Sequence, residues 1–156
     1  MRVLVLGAGA VGGYFGGRMA EAGMDVTFLV REKKKRKLEK TGLIIKSPKG
    51  DLSIKPNLVT IDKVGGDFDV ILFTNKAYDL DEILQLPIPV KDGALIIPLL
   101  NGYAHMEQLR NKFSNARLFG GIAHIFSTLT KDGEIHHFND IHLSLIHISE
   151  PTRRTT

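Results

Sequence analysis

The chain has 156 residues and contains no cysteine. This absence excludes disulfide bonds, thiol nucleophiles and thiolate metal ligands. The sequence also lacks an apolar run of the roughly 20 residues that a transmembrane helix needs. Met1-Arg2 leads straight into Val3–Leu6 and a run of glycines, which predicts a strand and not a signal peptide. These absences predict a cytoplasmic protein without a membrane partner.

The net positive charge of the chain is confined to one segment. The net charge is +4, but residues 31–40 hold seven of the 21 Lys/Arg and two of the 17 Asp/Glu. That segment therefore carries +5 and the rest of the chain −1. A nucleic-acid-binding protein usually spreads basic residues over a face and interleaves aromatics. The sequence shows neither feature, so we expect no nucleic-acid partner and a local role for the positive charge.

Short apolar runs alternate with helix-like stretches, which is typical of βαβ units in one domain. The pattern predicts an α/β fold: a doubly wound, mostly parallel sheet with helices on both faces. The expected helices are Ala10–Ala22, Glu32–Lys40, Leu80–Leu86 and His105–Phe113. The expected strands are Arg2–Leu6, Asp25–Val30, Leu43–Lys46, Leu52–Lys55, Asp69–Thr74, Ala94–Leu100, Leu118–Leu129 and Glu134–Phe138. The third and fourth strands are expected to form a hairpin, as are the last two.

A glycine motif follows the first predicted strand. Gly7-Ala8-Gly9-Ala10-Val11-Gly12 has the form G-x-G-x-x-G and opens the first predicted helix, the context that binds dinucleotides. Gly7 would make the tight turn, Gly9 would let the backbone approach a pyrophosphate, and Gly12 would allow close helix–strand packing. The helix N-terminus would attract the anion. The alternative is a glycine-rich turn that binds nothing.

Three further glycines, Gly13, Gly16 and Gly17, lie inside the same predicted helix. Each costs roughly 1 kcal/mol relative to alanine in a helix. We therefore expect a compensating benefit, which is close approach of the helix to its neighbours.

Arg31 indicates which dinucleotide is bound. Dinucleotide folds that prefer NAD place an acidic residue about 20 residues past the motif, on the ribose 2′-OH. Here the residue 19 positions after Gly12 is arginine, whose guanidinium suits a 2′-phosphate. The sequence thus favours NADP over NAD. Glu32 could instead take the ribose if the strand ended one residue later, and most of Lys33–Lys37 is expected to be a solvated helix face.

Four stretches taken together resemble ketopantoate reductase (2-dehydropantoate 2-reductase). They are residues 1–31, TNKAYDL at 74–80, LLNG at 99–102 and GGIAH at 120–124. The likeness runs in order from Met1 to about His142. It implies an enzyme that uses NADPH to reduce ketopantoate, a 2-keto acid, to pantoate on the route to pantothenate and coenzyme A.

The resemblance also implies roles for single residues. The glycine motif would contact the pyrophosphate and Arg31 the 2′-phosphate. Lys76 would reach the cofactor, and Asn101 would lie near both nicotinamide and substrate. The alternatives are that Lys76 is a solvated surface charge and that Asn101-Gly102 is only a favoured turn pair.

The family's proton donor is a lysine in a helical C-terminal domain, and this sequence shows no counterpart of that domain. Hydride transfer to a ketone leaves an alkoxide that a positioned acid must protonate. We therefore expect this chain to bind NADPH without measurable turnover. No catalytic residue is assigned within it.

The last stretch has a different character. Leu143–Arg153 reads LSLIHISEPTR, eleven residues that one frame of a transposase adapter used in sequencing libraries encodes. The sequence therefore predicts a dinucleotide-binding domain over 1–142 and a non-native tail over 143–156. The alternative is a native strand with alternating apolar residues.

Two other functions remain open. One is a related NADP-dependent 2-keto or hydroxy-acid dehydrogenase, and the other is a non-catalytic sensor that binds a dinucleotide. His124, His136 and His137 show no metal-ligand spacing with carboxylates, and they are expected to be structural or exposed.

Overall fold

A computed structural model describes residues 1–74, 80–99, 104–124, 127–138 and 143–147. The helices are α1 (Gly12–Glu21), α2 (Glu32–Thr41), α3 (Leu80–Leu84) and α4 (Ala104–Lys112). The first six strands are β1 (Arg2–Leu6), β2 (Asp25–Leu29), β3 (Leu43–Lys46), β4 (Leu52–Ile54), β5 (Asn57–Val59) and β6 (Val70–Phe73). The others are β7 (Leu95–Pro98), β8 (Arg117–Leu118), β9 (Gly120–His124), β10 (Ser127–Leu129), β11 (Ile135–His137) and β12 (Leu143–His147).

The main sheet has six strands in the order β5-β2-β1-β6-β7-β8, and every pair in it is parallel. The chain builds outward from β1 on one side, then crosses to β6 on the other side. The point between β1 and β6 is therefore where the strand order reverses, and ligands bind beyond the carboxyl ends of strands at such a point. This topology confirms the predicted Rossmann-type, doubly wound fold.

Both faces of the main sheet are covered, which is why its central strands read as continuous apolar runs. Val3 and Val5 of β1 belong to the core on the α1 side. Leu4 and Leu6 belong to the opposite core, which includes Leu109 of α4. All of these β1 side chains are at most 2% exposed. Helices thus pack on both faces, as predicted.

A second sheet, in the order β10-β11-β3-β4, lies on the far side of α1. The predicted hairpins are confirmed in this sheet, since β3 pairs antiparallel with β4 and β10 with β11. A parallel pairing of β11 with β3 joins the two hairpins. Leu43, Ile45 and Ile135 supply its buried side chains and pack in the same core as α1.

Two glycines of α1 allow it to pack tightly on the main sheet. A Cβ atom at Gly16 would lie 2.5 Å from Cε1 of Phe28, a fully buried ring on β2. A Cβ at Gly12 would overlap the Oγ1 atom of Thr74, just after β6. No side chain larger than hydrogen fits at either position without a shift of the sheet side.

The other two glycines allow the small sheet to approach α1 from the opposite side. A Cβ at Gly13 would overlap Cδ1 of Ile135, and one at Gly17 would lie 2.8 Å from Cδ1 of Ile45. The helix is therefore held between two sheets by missing side chains on two of its faces. This confirms the expected benefit of glycines that would otherwise weaken the helix.

The ends of α1 differ in how well the sequence predicts them. The helix ends as expected, with Gly23 at φ 92° and Met24 N–H donating to the Met19 carbonyl at 3.1 Å. This is the Schellman arrangement, which favours glycine. Its start was predicted at Ala10, but residues 10 and 11 form a turn and the helix begins at Gly12.

The predicted single strand Leu118–Leu129 is wrong. The structure divides it into β8, β9 and β10, which belong to three different sheets. Only β10 pairs with the strand that follows it. Alternating apolar residues are compatible with each of these strand pairings. The pattern therefore did not reveal that successive parts of the segment pair with different strands.

The strand β5 was not predicted, because it has only three residues, Asn57–Val59, between a proline and polar residues. It nevertheless forms the edge of the main sheet beside β2. Helix α3 is also shorter than expected and ends at Leu84.

Strand β12 pairs antiparallel with β9 and lies in the segment predicted to be adapter read-through. Such pairing fits the alternating sequence whatever its origin, so that origin stays a prediction. Within the described ranges, no helix combines the length and apolarity needed to cross a bilayer.

We predict that Gly16→Ala destabilises the fold. Overpacking a core costs about 1–3 kcal/mol, and the gain in helix propensity of about 1 kcal/mol offsets only part of it. Since the obstacle is a buried aromatic ring, we expect a net loss of about 1–2 kcal/mol in the free energy of unfolding, measured by urea denaturation.

Gly9→Ala is the matched control, because no atom lies within 4 Å of a Cβ built at Gly9. Its free energy of unfolding should stay within about 0.5 kcal/mol of the wild type. Equal stability of the two variants would contradict the packing argument.

Candidate functional site

The glycine turn after β1 borders a cleft of about 880 Å³. Gly7 has φ 95°, a conformation that favours glycine, and its N–H donates to the Leu29 carbonyl at 2.9 Å. This bond fixes the turn to the neighbouring strand β2. Gly7, Ala8 and Gly9 all line the cleft. The described lining does not include Ala10, Val11 or Gly12, which lie at the start of α1.

Gly9 and Gly12 serve different purposes in this turn. The space that a side chain would fill at Gly9 holds no protein atom within 4 Å. The equivalent space at Gly12 is occupied by Thr74 and by the Gly7 carbonyl oxygen at 3.0 Å. Backbone is thus open to a ligand at Gly9, whereas Gly12 allows helix and strand to meet. Thr74 Oγ1 also donates to the Leu6 carbonyl at 2.9 Å, which ties the ends of β6 and β1 together.

The start of α1 is electropositive. Val11 is the N-cap residue of α1 and makes no side-chain capping bond, and the first turn carries no acidic residue. The helix dipole at such an end attracts an anion. The open backbone at Gly9 and this helix end therefore fit a pyrophosphate group.

Arg31 lies on the same cleft as the glycine turn. It follows β2 and caps the N-terminus of α2 with an extended backbone. Its side chain is 81% exposed, and its Nη2 atom lies 2.8 Å from Oε1 of Glu82 on α3. A guanidinium thus stands at the edge of the cleft, within the same pocket as the glycine turn.

Lys34 is a cleft residue that sequence reasoning missed. It lies three positions after Arg31, hence on the same face of the α2 N-terminus, and it is half-buried. Burial lowers the pKa of Lys34, and the positive charge of Lys37 lowers it further. Helical periodicity was the available signal, but five consecutive basic residues gave no indication of which one faces inward.

The alternative role for Glu32 gains less support from the geometry. Its carboxylate borders the cleft, but it accepts a hydrogen bond from Nε of Arg36 at 3.4 Å, along the solvent side of α2. Two other members of the basic run also have partners: Lys35 pairs with Glu39 at 2.7 Å, and Lys37 donates to the Lys131 carbonyl at 3.4 Å.

The opposite wall of the cleft comes from the unpredicted β5 and from α3. Thr60, Ile61 and Asp62 follow β5 and line it, with Ile83 and Leu86 from the α3 region. Thr60 Oγ1 donates a short hydrogen bond to the Asp62 carboxylate. That bond, with one from a backbone N–H, lowers the pKa of Asp62, so this acid is ionised at neutral pH. The cleft therefore combines apolar walls with a few polar groups, as small-ligand sites do.

Lys76 and Asn101 lie outside the described residues, so their predicted roles remain predictions. The strands that precede them, β6 and β7, are neighbours in the main sheet and run parallel to β1. Their carboxyl ends therefore meet the same edge of the sheet as the glycine turn.

Neither His136 nor His137 belongs to the described lining of the cleft. His137 is 3% exposed, with Nδ1 2.7 Å from Oγ of Ser47, and its ring centroid lies 4.7 Å from that of Tyr14. His136 contacts Glu134 at 3.1 Å. These contacts agree with structural roles. The side chain of His124 lies outside the described residues, and among described side chains no group of three metal-ligating residues comes together.

Comparisons with known proteins place the chain in a family. Residues 3–149 match the family described as Ketopantoate reductase PanE/ApbA. The chain is 48% identical over 143 residues to the uncharacterized oxidoreductase YkpB of Bacillus subtilis, covering 91% of the chain and 47% of YkpB. It is 30% identical to 2-dehydropantoate 2-reductase of a Nostoc species over 138 residues, covering 86% of the chain and 43% of that enzyme.

A solved structure agrees with these matches. The 2-dehydropantoate 2-reductase of Geobacter metallireducens superposes with a TM-score of 0.81 at 27% identity, covering 95% of this chain and 49% of that one. The chain thus spans about half the length of the relatives it matches. With a family match over nearly all of its residues, the chain belongs to the ketopantoate reductase (PanE/ApbA) family of oxidoreductases.

Proposed function

We propose that this chain is the NADPH-binding domain of an enzyme that reduces 2-dehydropantoate to pantoate, a step toward pantothenate and coenzyme A. One observation carries the proposal: the open backbone at Gly9 and the cations Arg31 and Lys34 line a single cleft. A dinucleotide with a 2′-phosphate carries two anionic groups, a pyrophosphate that would lie at Gly9 and a phosphate that would lie at Arg31 and Lys34. The family match supports the reaction type.

Each part of the cleft has a role in this proposal. The turn of Gly7–Gly9 and the start of α1 hold the pyrophosphate, while Arg31 and Lys34 hold the 2′-phosphate. The bound nicotinamide would supply the hydride that reduces the keto carbon. We propose that Lys76 and Asn101, which follow β6 and β7 in the sequence, contact the nicotinamide end and the keto acid.

Protonation of the alkoxide product needs a further acid. No residue of this chain is assigned that role, so we propose that the 156-residue chain binds NADPH without turnover. A second candidate is a reductase of the same family for another 2-keto acid, since identity to YkpB exceeds identity to the Nostoc enzyme. Full-length protein assayed with a panel of 2-keto acids and NADPH separates the two candidates.

We predict that Gly9→Ala weakens binding of both NADPH and NADH, because its methyl group would fill the space reserved for the pyrophosphate. The loss should be about tenfold or more, equivalent to about 1.4 kcal/mol, in calorimetric titrations. Gly65→Ala is the control, an exposed glycine whose Cβ would meet nothing closer than 3.3 Å. Unchanged affinity in Gly9→Ala would remove the pyrophosphate from this turn.

Arg31→Gln should separate the two dinucleotides. Hydrogen bonds to charged groups contribute about 1.5–3 kcal/mol, so NADPH should bind about tenfold more weakly or worse. NADH, which lacks the 2′-phosphate, should change by less than about twofold. Arg36→Gln is the matched control, because Arg36 lies on the same helix and outside the described cleft lining. Equal losses for both dinucleotides would refute the assignment of Arg31.

We predict that the affinity for NADPH falls at alkaline pH, and that the fall begins at a lower pH than it would with a lysine of ordinary pKa. Burial and the neighbouring charge of Lys37 lower the pKa of Lys34, so its ammonium group loses its proton at a lower pH than an ordinary lysine does. The 2′-phosphate is already a dianion at that pH, since its second pKa is near 6. Affinity therefore declines as the pH rises through the lowered pKa of Lys34.

Lys34→Met should lower the affinity for NADPH at pH 7 and abolish this decline between pH 7 and 10. The control Lys33→Met removes an exposed lysine that is not in the described lining and should keep the wild-type profile. The same alkaline decline in Lys34→Met would show that another group is responsible. Circular dichroism at each pH verifies that the protein stays folded.

A further inference from the structure

The ion pair between Arg31 and Glu82 crosses the cleft that the proposed function assigns to the cofactor. Nη2 of Arg31 lies 2.8 Å from Oε1 of Glu82, and the two residues are 51 positions apart in the chain. Both line the cleft. The carboxylate therefore occupies part of the guanidinium fork that a phosphate group would use.

Glu82 differs in this respect from the other acids of the cleft. Glu32 bonds to Arg36, and Asp62 accepts a hydrogen bond from Thr60. Among the described acids that line the cleft, only Glu82 pairs with a cation that also lines it.

The pair is solvated, with side-chain exposures of 81% for Arg31 and 64% for Glu82. Exposed pairs of this kind are weak and screened by salt. A dianionic phosphate can therefore displace the carboxylate, but it must compete with it. An unphosphorylated ribose brings no anion to this position and meets no such competition.

We propose that Glu82 is a specificity-determining residue that competes with the 2′-phosphate for Arg31 and so limits the preference for NADPH over NADH. This proposal rests on the proposed function of the cleft. In this proposal α3 also takes part in selecting the cofactor. That helix lies outside the two sequence features that usually indicate the cofactor, which are the glycine motif and the residue after β2.

The test is a calorimetric titration of the 156-residue chain and its Glu82→Gln variant with NADPH and with NADH. Loss of the competing carboxylate should tighten NADPH binding about twofold to fivefold at low salt, a size set by the weakness of exposed ion pairs. NADH binding should change by less than about twofold. The gain for NADPH should shrink at 0.5 M salt, where exposed charges are screened.

Asp81→Asn is the matched control, since it makes the same charge change on the same helix from outside the described cleft lining. It should leave the ratio of NADPH to NADH affinity unchanged. An equal gain in Asp81→Asn would overturn the proposal in favour of a general effect of net charge.

A second pair of variants tests whether Glu82 acts through Arg31. In an Arg31→Gln background, Glu82→Gln should change NADPH affinity by less than twofold, because the contested guanidinium is absent. An undiminished gain in that background, or no gain in the wild-type background, overturns the proposal. If wild-type protein binds neither dinucleotide, the proposed function itself fails, and this result is distinct from an unchanged NADPH preference.

Discussion

The structure depends on the absence of side chains along helix α1. Side chains normally separate the backbone of a helix from the elements that it packs against. Gly12 and Gly16 remove that spacing toward the main sheet, and Gly13 and Gly17 remove it toward the small sheet. The helix is therefore fixed between two layers. Its N-terminus, the end that attracts an anion, is therefore held in a defined position beside the ends of β1 and β6.

The electrostatics of the cleft follow from how α2 arranges its charges. Its acids pair with cations on the solvent side, Glu32 with Arg36 and Glu39 with Lys35. Arg31 and Lys34 line the cleft, as does Glu32, and the N-terminal end of the helix adds positive potential there. Of the seven cations in the segment, Lys35 and Arg36 pair with its own two acids, and only Arg31 and Lys34 belong to the described lining of the cleft. The number of basic residues in this segment is therefore larger than the number that line the cleft.

The sequence predicted the parts of the site that depend on local rules. A glycine turn after a buried strand and an arginine after the next strand must share an edge when the strands are parallel neighbours, and Gly7 and Arg31 do. The missing parts depend on tertiary structure. The strand β5 is too short for periodicity to detect, yet it brings Thr60 to the cleft. Glu82 reaches Arg31 from 51 residues away, a contact that no local pattern encodes.

In the proposed function, the residues that local patterns predict and those that only the tertiary structure reveals have different roles in binding a dinucleotide. In the proposed complex, the backbone of the glycine turn meets a pyrophosphate, a group that phosphorylated and unphosphorylated dinucleotides share, so it can supply affinity without distinguishing them. In that complex, discrimination would come from side chains that reach the 2′ position, and the proposed ones lie at the start of α2 and on α3. Since α3 contributes an acid that pairs with Arg31, the proposed preference would depend on the spacing between two helices as well as on the identity of residue 31. A motif read along the chain can therefore name the cofactor class, while the degree of selectivity is a property of how the helices pack.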